Sequence, residues 1–415
     1  MNFIRLLQSR FLLKDMINTC ESYTNRSIYC GFDPTASSLH LGHLCALNSL
    51  AYASSLSFNP IAILGTATAL IGDPSGKTES RPLIDNETIS KNTLSLSSQI
   101  HKVFTNLQKK LNSPCAELKV IENGIFYTNL DLIKFLREVG YYFPVNPLIN
   151  RDFVQKRADG VTYTEFSYGL LQAYDFLTLF EKYDCVGQIG GSDQWSNITS
   201  GTELIRKKLG KHSFGCTLPL LTTKDGKKFG KTEGNALFLD KNKTKSYDIY
   251  QYCYNLPDDE IEKLLYRLTF VSSEKIIETL DQPLETRSGQ KLLAYEIIST
   301  LHGDQEAKNT QRISEILFKE DYNNIVPSDL EALSEYANKI VISQEDIGKN
   351  IIDLLKEKAV TQSKKDIRRL IENGSVKVNG QVCKEDSKLK EFSPVGGLAF
   401  VITTGKKKMH LGYLQ

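Results

Sequence analysis

The most constraining feature of the sequence is a strand–helix–strand succession between residues 27 and 72. The stretch SIYCGFDP (27–34) predicts a short strand that ends in a turn at Asp33-Pro34. LHLGHLCALNSLAYASSL (39–56) has helical apolar spacing, and PIAILGTATALIG (60–72) is a continuous apolar run typical of buried parallel strands. Strand, helix and strand joined by short links form a βαβ unit. The chain therefore opens with an α/β domain built on a parallel sheet.

Later segments continue this pattern and then change architecture. SYGLLQAYDFLTLFEKY (167–183) predicts a long helix, and CVGQIGGSDQW (185–195) predicts a strand that ends in a glycine-rich turn. The pattern is mainly helical from about residue 235 to about residue 320. NNIVPSDLEALSEYANK (323–339) is typical of a connection. The tail predicts a helix stopped by Gly374, then a strand and a hairpin turn at Asn379-Gly380.

Composition narrows the class of protein. A chain of 415 residues with 40% hydrophobic and 24% charged residues is ordinary for a soluble globular protein of two or three domains. No apolar run reaches the roughly 18 residues that cross a bilayer, so we expect no membrane partner. The eight cysteines form no CxxC pair, which favours a reducing compartment and argues against a zinc site or a disulfide framework.

The two ends of the chain carry basic segments. Residues 351–410 hold 13 Lys/Arg against 7 Asp/Glu, although the net charge of the whole chain is only +2. This asymmetry indicates either a polyanion partner or a solvated surface with surplus lysine, and charge alone leaves both open. MNFIRLLQSRFLLK contains no acid before Asp15. It is compatible with a mitochondrial transit peptide and equally with an ordinary first helix of the folded protein.

The stretch LIGDPSGKT (70–78) looks like a phosphate-binding P-loop, but its spacing excludes one. A P-loop has four residues between its first glycine and the Gly-Lys-Ser/Thr group, so that successive N–H groups wrap a phosphate. Here Gly72 and Gly76 enclose three residues, and Ile71 stands where the first glycine is required.

Two other short motifs can bind phosphate. His40 and His43 flank Gly42 at the start of the first predicted helix, where two histidines three apart share one helix face and N–H groups favour an anion. Zinc is a poor alternative, because nearby segments offer no further ligands. DGKKFGKTEGNA (225–236) places Lys228 and Lys231 on a glycine-flanked loop that can close over a triphosphate. Taken singly, each motif could be an ordinary surface segment.

Together the two motifs resemble the "HIGH" and "KMSKS" signatures of class I aminoacyl-tRNA synthetases. YCGFDPTASSLHLGH, LIGDPSGKT, EFSYGLLQAYDF, QIGGSDQW and KFGKT occur in the order and spacing of one family. The chain resembles tyrosyl-tRNA synthetases of the bacterial and organellar type, from near its N-terminus to its tail. The nearest alternative is the sister enzyme for tryptophan. Tyr29 and Asp175 argue against it, because an indole would not satisfy this polar pair. An RNA-binding protein on a synthetase scaffold, such as an intron-splicing cofactor, is a second rival.

The resemblance implies roles for individual residues. Tyr29 and Asp175 hold the phenolic hydroxyl of tyrosine. The amino and carboxylate ends of the substrate contact Asp73, Tyr168, Gln172 and Gln194, and Gln188 buttresses the pocket. The ATP site is lined by Gly31, Asp33, Thr35, His40, Gly42, His43 and, at the ribose, Asp193. The loops that close on pyrophosphate carry Lys77, Arg81, Lys228, Lys231 and Thr232. Lys231 is also expected to bind ATP.

The resemblance also implies the reaction and its partners. Tyrosine and ATP form tyrosyl-adenylate and pyrophosphate, and the tyrosyl group then moves to tRNA(Tyr). ATP is a substrate that brings Mg²⁺, and neither an organic cofactor nor a metal held by the protein is expected. Members of the family are homodimers. The substrate supplies its own nucleophile, so the site needs no general base. Recognition of the phenol should reject phenylalanine, because phenylalanine leaves the polar groups of the pocket without a hydrogen-bond partner.

The tail resembles an S4-type RNA-binding domain, with an exposed helix presenting Lys364, Lys365, Arg368 and Arg369. The expected fold is thus a Rossmann-like parallel-sheet catalytic domain (1–225), a helical anticodon-side domain that begins with the KMSKS-type loop (226–325), a linker (326–348) and an S4-like α+β domain (349–415). The segment KTEGNA and the acid-poor start favour the mitochondrial matrix, with a bacterial cytoplasm as the alternative.

Overall fold

The computed structural model describes residues 2–19, 23, 25–76, 83–111, 116–155, 160–222, 229–232, 235–319, 322, 325–360, 363–405 and 408–415. These residues form two compact units. The first comprises residues 1–244 and 252–303, and the second comprises residues 245–251 and 304–415.

A six-stranded sheet forms the centre of the first unit. Its strands are β1 (Asp15–Ile17), β2 (Ser27–Phe32), β3 (Asn59–Leu64), β4 (Lys119–Glu122), β5 (Cys185–Gly191) and β6 (Phe214–Leu218). The order across the sheet is β1-β6-β5-β2-β3-β4, and every pair except β1–β6 is parallel. The chain runs outward from β2 through β3 to β4 and then returns to the other side of β2. Ligands of open α/β sheets bind at such a switch point, beyond the carboxyl ends of the strands.

Helices connect the strands and cover the sheet. They are α1 (Phe3–Ser9), α2 (Leu44–Ser55), α3 (Thr68–Ile71), α4 (Asn86–Leu111), α5 (Gly124–Tyr127), α6 (Leu132–Glu138), α7 (Val145–Ile149), α8 (Asp152–Gln155), α9 (Tyr163–Tyr183) and α10 (Trp195–Leu209). The parallel α/β architecture predicted from the sequence is confirmed. A two-stranded ribbon, β7 (Lys231–Thr232) and β8 (Asn235–Ala236), follows the sheet in the chain.

Helix α9 carries three of the predicted site residues, and its ends are well defined. A capping box formed by Thr162 and Glu165 begins it, and Asp184 in the left-handed conformation (φ 53°) ends it. The helix packs on α10 and on β5, and its Phe176 and Leu177 join one core with Tyr29 and Ile61 of the sheet. This packing fixes the helix over the end of β2.

The apolar run 60–72 is a strand over only its first half. β3 ends at Leu64, and Thr68–Ile71 form the single turn of α3, which Gly72 stops with a φ of 83°. Continuous hydrophobicity does not distinguish a buried strand from a buried helical turn, so the sequence pattern alone misses this boundary.

The first helix is an integral part of the first unit. In α1, Phe3 is 2% exposed and Leu7 is fully buried, and the helix packs on α2. Arg10 donates a hydrogen bond of 2.7 Å from Nη1 to the carbonyl of Val271. Of the two interpretations of the acid-poor start, the structure supports a packed first helix.

The helical segment divides between the two units. α12 (Asp258–Leu268), α13 (Ser273–Leu280) and α14 (Ser288–His302) belong to the first unit, whereas α11 (Ser246–Tyr254) contributes to both and α15 (Asp304–Lys319) belongs to the second. α14 packs on α4 and α12, which explains the assignment to the first unit. The expected separate domain over 226–325 is therefore not one compact unit.

The second unit is built on a five-stranded sheet. Its order is β11 (Gln381–Val382), β10 (Val376–Val378), β12 (Ala399–Thr404), β13 (Lys408–Leu414) and β9 (Asn338–Ile342). Helices α16 (Pro327–Ser334), α17 (Ile351–Glu357) and α18 (Lys364–Glu372) complete the unit. The predicted helix, strand and hairpin of the tail are confirmed.

The predicted linker at 326–348 is wrong. Its α16 buries Leu330 and Leu333 against Val401 and Leu411, and its β9 pairs in parallel with β13 at the edge of the sheet. The segment is rich in polar residues because an edge strand and a surface helix each bury only one side. That composition is what makes it resemble a connection.

Candidate active site

A crevice of about 480 Å³ lies at the switch point between β2 and β5. Volumes of this order suit a small organic ligand. The crevice brings together nearly all predicted tyrosine- and ATP-binding residues from segments far apart in the chain. Its lining includes Tyr29, Gly31, Asp33, Thr35, His40, Gly42, His43, Asp73, Tyr168, Gln172, Asp175, Gln188, Asp193 and Gln194.

Tyr29 and Asp175 form a buried polar pair in this crevice. The hydroxyl of Tyr29 is buried and has no hydrogen-bond partner among the described residues. Burial, followed by the nearby Asp175 carboxylate, raises the pKa of Tyr29 well above its usual value. A buried hydroxyl without a partner is costly in a folded protein, so this group is suited to binding a ligand.

Two side chains hold the Asp175 carboxylate from outside the crevice. Asn123 donates from Nδ2 to Oδ2 at 2.9 Å, and the Tyr127 hydroxyl donates to Oδ1 at 2.7 Å. Burial raises the pKa of Asp175 to about 7, and the hydrogen bonds from Asn123 and Tyr127 oppose that rise. No sequence motif identified either residue, because neither belongs to the stretches that match the resemblance.

Asp73 occupies another wall of the crevice within a network of amides. Gln194 donates from Nε2 to Oδ2 of Asp73 at 2.6 Å, and the backbone N–H of Ser75 donates to Oδ1 at 2.9 Å. Asn197 donates from Nδ2 to Gln194 Oε1 at 3.1 Å and to Ser75 Oγ at 3.2 Å. Asp73 and Gln194 were predicted from the sequence, whereas Asn197, one helical turn after Gln194, was not.

The turn GDPSG brings this wall against the turn that follows β5. Gly76 has a φ of 66°, and a Cβ there would lie 3.3 Å from the Cβ of Asp193. Glycine is therefore required at Gly76 both for its backbone conformation and for its close approach to the turn after β5. The stretch shapes the crevice and is not a P-loop.

Asp33 is fixed at the end of β2 by two hydroxyls. Tyr168 donates to Oδ2 at 2.8 Å, and Thr68 donates to Oδ1 at 2.9 Å. Tyr168, predicted at the substrate's amino end, therefore lines the crevice while its hydroxyl contacts Asp33. Thr68 was missed because its apolar neighbours predict a strand.

His40 and His43 lie in a 3₁₀ turn (Leu41–His43), and α2 begins only at Leu44. The predicted α-helix therefore does not include them, but they do share one face, because residues three apart eclipse in a 3₁₀ turn. Their ring centroids are 3.9 Å apart. Nδ1 of His40 accepts from the Gly42 N–H, and Nδ1 of His43 accepts from the His40 N–H, both at 3.1 Å. A Cβ on Gly42 would lie 2.9 Å from the His40 ring, so a larger residue at position 42 would displace that ring.

His43 is a neutral hydrogen-bond donor. Burial, and then the neighbouring His40, lowers the pKa of His43 to about 3, so His43 is uncharged at neutral pH. Since its Nδ1 accepts a hydrogen bond, the proton of His43 is assigned to Nε2. A buried N–H donor suits a phosphate oxygen.

The segment that follows the lysine motif is bonded directly to this histidine turn. Leu41 donates its N–H to the Leu237 carbonyl at 3.1 Å, and Leu239 donates to the Leu39 carbonyl at 2.8 Å. The N–H of Gly230 donates to the Tyr252 hydroxyl at 2.9 Å. Phe229 and Phe238, which flank the described part of the lysine motif, line the same crevice as the histidine turn, about 190 residues away in the sequence.

Several predicted residues cannot be placed. Lys77, Arg81 and Lys228 lie outside the described residues, as do the side chains of Lys231 and Thr232. On α18, Lys364, Lys365, Arg368 and Arg369 are exposed while Ile367 and Ile371 are buried. The predicted basic face of that helix is thus present.

Comparison with known proteins agrees with this arrangement. Residues 22–319 match the family described as tRNA synthetases class I (W and Y), and residues 329–412 match the tyrosine–tRNA ligase SYY-like C-terminal domain. The tyrosine–tRNA ligase of Geobacillus stearothermophilus is 41% identical over 93% of this chain and 92% of that protein. The chain belongs to the class I tyrosyl-tRNA synthetases. The family resemblance stated from the motifs is confirmed, and the tryptophan branch is set aside because the second match and the relatives are specific to tyrosine.

Further tyrosyl-tRNA synthetases support this membership. The tyrosine–tRNA ligase of Caldanaerobacter subterraneus subsp. tengcongensis is 39% identical over 92% of this chain and 91% of that protein. A C-terminally truncated mitochondrial tyrosyl-tRNA synthetase of Aspergillus nidulans superposes with a TM-score of 0.70 at 29% identity, covering 76% of this chain and 94% of that one. No helix in the described part of the chain is long and apolar enough to cross a membrane.

Proposed function

We propose that this chain is a tyrosine–tRNA ligase that activates L-tyrosine with ATP and transfers it to tRNA(Tyr). The observation that carries the proposal is the buried pair Tyr29 and Asp175 in a crevice whose other side is the histidine turn. The phenolic hydroxyl of tyrosine can donate to the Asp175 carboxylate and accept from the Tyr29 hydroxyl. Family membership supports the same substrate.

The charge of the crevice favours a cationic end on the ligand. Four carboxylates line it, on Asp33, Asp73, Asp175 and Asp193, and no Lys or Arg does so among the described lining residues. Asp73 is the carboxylate proposed to hold the substrate ammonium, with Gln194 orienting it. Gln172 lines the same space, and the buried Oε1 of Gln188 has no partner among the described residues. The two amides are the proposed contacts for the rest of the amino acid.

Adenylate formation needs positioning and charge stabilisation. A carboxylate oxygen of tyrosine attacks the α-phosphorus of ATP, the bond to the β-phosphate oxygen breaks, and pyrophosphate leaves. His40 and neutral His43 are proposed to donate hydrogen bonds to the developing phosphate charge. Lys77, Arg81, Lys228, Lys231 and Thr232 are proposed to neutralise the leaving pyrophosphate. Gly31 and Gly42 let the nucleotide approach the backbone, with Thr35 beside it and Asp193 at the ribose.

Magnesium is proposed to enter with ATP. The described residues contain no group of three or more His, Cys, Asp or Glu side chains that could hold a metal ion. The phosphates of ATP are themselves ligands for Mg²⁺, which usually retains several waters and few protein contacts. The ion is thus part of the substrate in this proposal.

The second unit is proposed to bind the tRNA as an S4-like domain. The exposed side chains of Lys364, Lys365, Arg368 and Arg369 form one face of α18, opposite a face buried by Ile367 and Ile371. A basic helix face favours phosphate contacts on structured RNA.

We propose that the protein is a homodimer. Between residues 132 and 163, consecutive elements expose large apolar side chains that a monomer would leave in water, in some cases by three quarters of their surface. They are Leu132, Ile133, Leu136, Tyr141, Val145 and Tyr163. A second copy of this chain, covering the same surface, is the proposed partner.

The compartment is proposed to be the mitochondrial matrix or the bacterial cytoplasm. The segment KTEGNA favours the matrix, whereas the acid-poor start forms a packed first helix and no longer supports it. Similarity to the Aspergillus nidulans mitochondrial enzyme is compatible with the matrix. The Caldanaerobacter and Geobacillus relatives are bacterial, which supports the cytoplasm. Localisation of a C-terminally tagged chain would decide between them.

Charging of tRNA tests the proposed function. The purified chain should attach labelled tyrosine to total tRNA in the presence of ATP and Mg²⁺. Replacing Arg368 and Arg369 by alanine should reduce charging severalfold and leave tyrosine-dependent pyrophosphate exchange unchanged. The double change Lys102→Ala and Lys109→Ala removes two exposed charges from α4 and serves as the matched control. No charging by the wild type would refute the ligase, and equal charging by all variants would refute the RNA face.

A further inference from the structure

The Asp175 carboxylate is held from behind by a residue that does not touch the crevice. The Tyr127 hydroxyl lies 2.7 Å from Oδ1 of Asp175 and 3.0 Å from the carbonyl oxygen of Leu171. It has one proton to donate, and an ionised carboxylate is the stronger acceptor as well as the nearer one. Asn123 takes the other oxygen, so each oxygen of Asp175 has one donor outside the crevice.

The position of Tyr127 is fixed by the backbone of its own short helix. Before α5, the N–H of Asn123 donates to the Leu64 carbonyl at 3.0 Å, and its Oδ1 accepts from the Ala67 N–H at 2.8 Å. The N–H of Gly124 donates to Thr66 Oγ1 at 3.0 Å. α5 is therefore tied to the end of β3, and the Tyr127 hydroxyl is presented to Asp175 without reorganisation.

We propose that Tyr127 is a positioning residue that sets the preference for tyrosine over phenylalanine by orienting the Asp175 carboxylate and keeping it ionised. The proposal rests on the proposed function. An ionised, oriented carboxylate accepts a strong hydrogen bond from a phenol, whereas phenylalanine leaves it unpaired. Loss of the Tyr127 hydroxyl weakens the hydrogen bond between Asp175 and the tyrosine phenol. It also reduces the cost of leaving Asp175 unpaired when phenylalanine binds.

The surroundings of Asp175 determine how its protonation responds to this change. Burial is the largest influence and raises its pKa, and the hydrogen bonds from Asn123 and Tyr127 lower it. The titratable or polar groups that face it from the neighbouring elements are Tyr29, Asp33, Asn123, Tyr127 and Tyr168. None of these groups is cationic, so the negative charge of Asp175 is stabilised by the hydrogen bonds from Asn123 and Tyr127. Removing one donor moves the pKa of Asp175 upward.

The test compares Tyr127→Phe with the wild type in amino-acid-dependent pyrophosphate exchange. The ratio of kcat/KM for tyrosine to kcat/KM for phenylalanine should fall about tenfold, which is the effect expected from losing one hydrogen bond to a charged group. The fall should lie in the tyrosine value, with phenylalanine unchanged or better. Tyr174→Phe is the matched control, since its ring packs 5.7 Å from the Tyr127 ring. The control should keep the wild-type ratio.

The pH profile separates this role from a purely structural one. In the wild type, the ratio of the two kcat/KM values should fall as pH decreases through about 7, where Asp175 takes up a proton. The ratio cancels groups that act equally on both substrates, including those at the ATP site. In Tyr127→Phe the decline should begin at a higher pH, and in Tyr174→Phe it should not move.

A double-mutant cycle with Asp175→Asn keeps the proposal falsifiable if Tyr127→Phe folds poorly. In the Asp175→Asn background there is no charge to hold, so adding Tyr127→Phe should change the ratio less than twofold. If Tyr127→Phe alone unfolds but folds when combined with Asp175→Asn, that result would also support coupling between Tyr127 and Asp175. Equal effects in both backgrounds, a wild-type ratio in Tyr127→Phe, or unfolding of both variants would overturn the proposal. Absence of tyrosine exchange in the wild type would instead refute the proposed function.

Discussion

Removing the hydroxyl of Tyr29 is the most informative single change in the crevice. The Tyr29 ring is buried and packs against Phe176 with centroids 5.2 Å apart, so phenylalanine fits the same space. The hydroxyl has no partner among the described residues, and Tyr29→Phe therefore breaks no hydrogen bond of the ligand-free protein. It removes only a bond to the substrate phenol.

The magnitude follows from that difference. A neutral hydrogen bond contributes about 0.5–1.5 kcal/mol net, which corresponds to a loss of roughly 2- to 13-fold in kcat/KM for tyrosine. Phenylalanine lacks the phenol, so its kcat/KM should not fall. The ligand-free variant should be at least as stable as the wild type, because a buried hydroxyl without a partner is costly.

Pyrophosphate exchange with each amino acid measures the two kcat/KM values, and urea unfolding measures the stability. The expected combination is a selective loss with tyrosine and an undiminished free energy of unfolding. A parallel loss with phenylalanine, or a destabilisation of more than about 1 kcal/mol, would show that the hydroxyl supports the fold. The assigned role of Tyr29 would then be wrong.

Four further changes probe other parts of the account. Asp175→Ala should weaken tyrosine selection by at least tenfold in exchange assays and leave the ATP KM within about twofold, since the lost bond is to a charged group; equal losses for both ligands would contradict its role. Lys231→Ala should slow adenylate formation in single-turnover assays with a nearly unchanged tyrosine Kd, because the contact proposed for Lys231 would strengthen only as pyrophosphate leaves, and a large rise in that Kd would count against it. Gly65→Ala should abolish exchange, because the new methyl overlaps the Asp33 carboxylate and the Thr68 hydroxyl; full activity would exclude this packing. Leu7→Ala should cost about 2–5 kcal/mol in urea unfolding, and an unchanged midpoint would refute the packed first helix.

The sequence was most informative where one short motif determined one local structure. β2, β5 and the long helix α9 occur where the sequence predicts them, and α2 occurs within its predicted segment but begins at Leu44 and not at Leu39. The crevice also follows, since the residues that follow parallel strands converge at one edge of the sheet. The motif residues were thereby predicted together even though they are far apart in the chain.

The remaining features depend on tertiary contacts that no local pattern encodes. Residues 327–342 are polar enough to resemble a linker, yet β9 is held by its pairing with β13. Asn123 and Tyr127 lie in an unremarkable stretch, and only the fold brings them to Asp175. The histidine pair was placed on a helix because spacing by three fits one, whereas the bond from the His40 N–H to His43 closes a tighter turn.

The measurement that tests the central claim most directly is the exchange of labelled pyrophosphate into ATP with tyrosine, phenylalanine and tryptophan side by side. The account predicts rapid exchange with tyrosine, slower exchange by orders of magnitude with phenylalanine, and none with tryptophan. Exchange that favours tryptophan, or does not distinguish tyrosine from phenylalanine, would contradict the assignment of Tyr29 and Asp175. No exchange with any of the three would contradict the proposal that this crevice activates an amino acid.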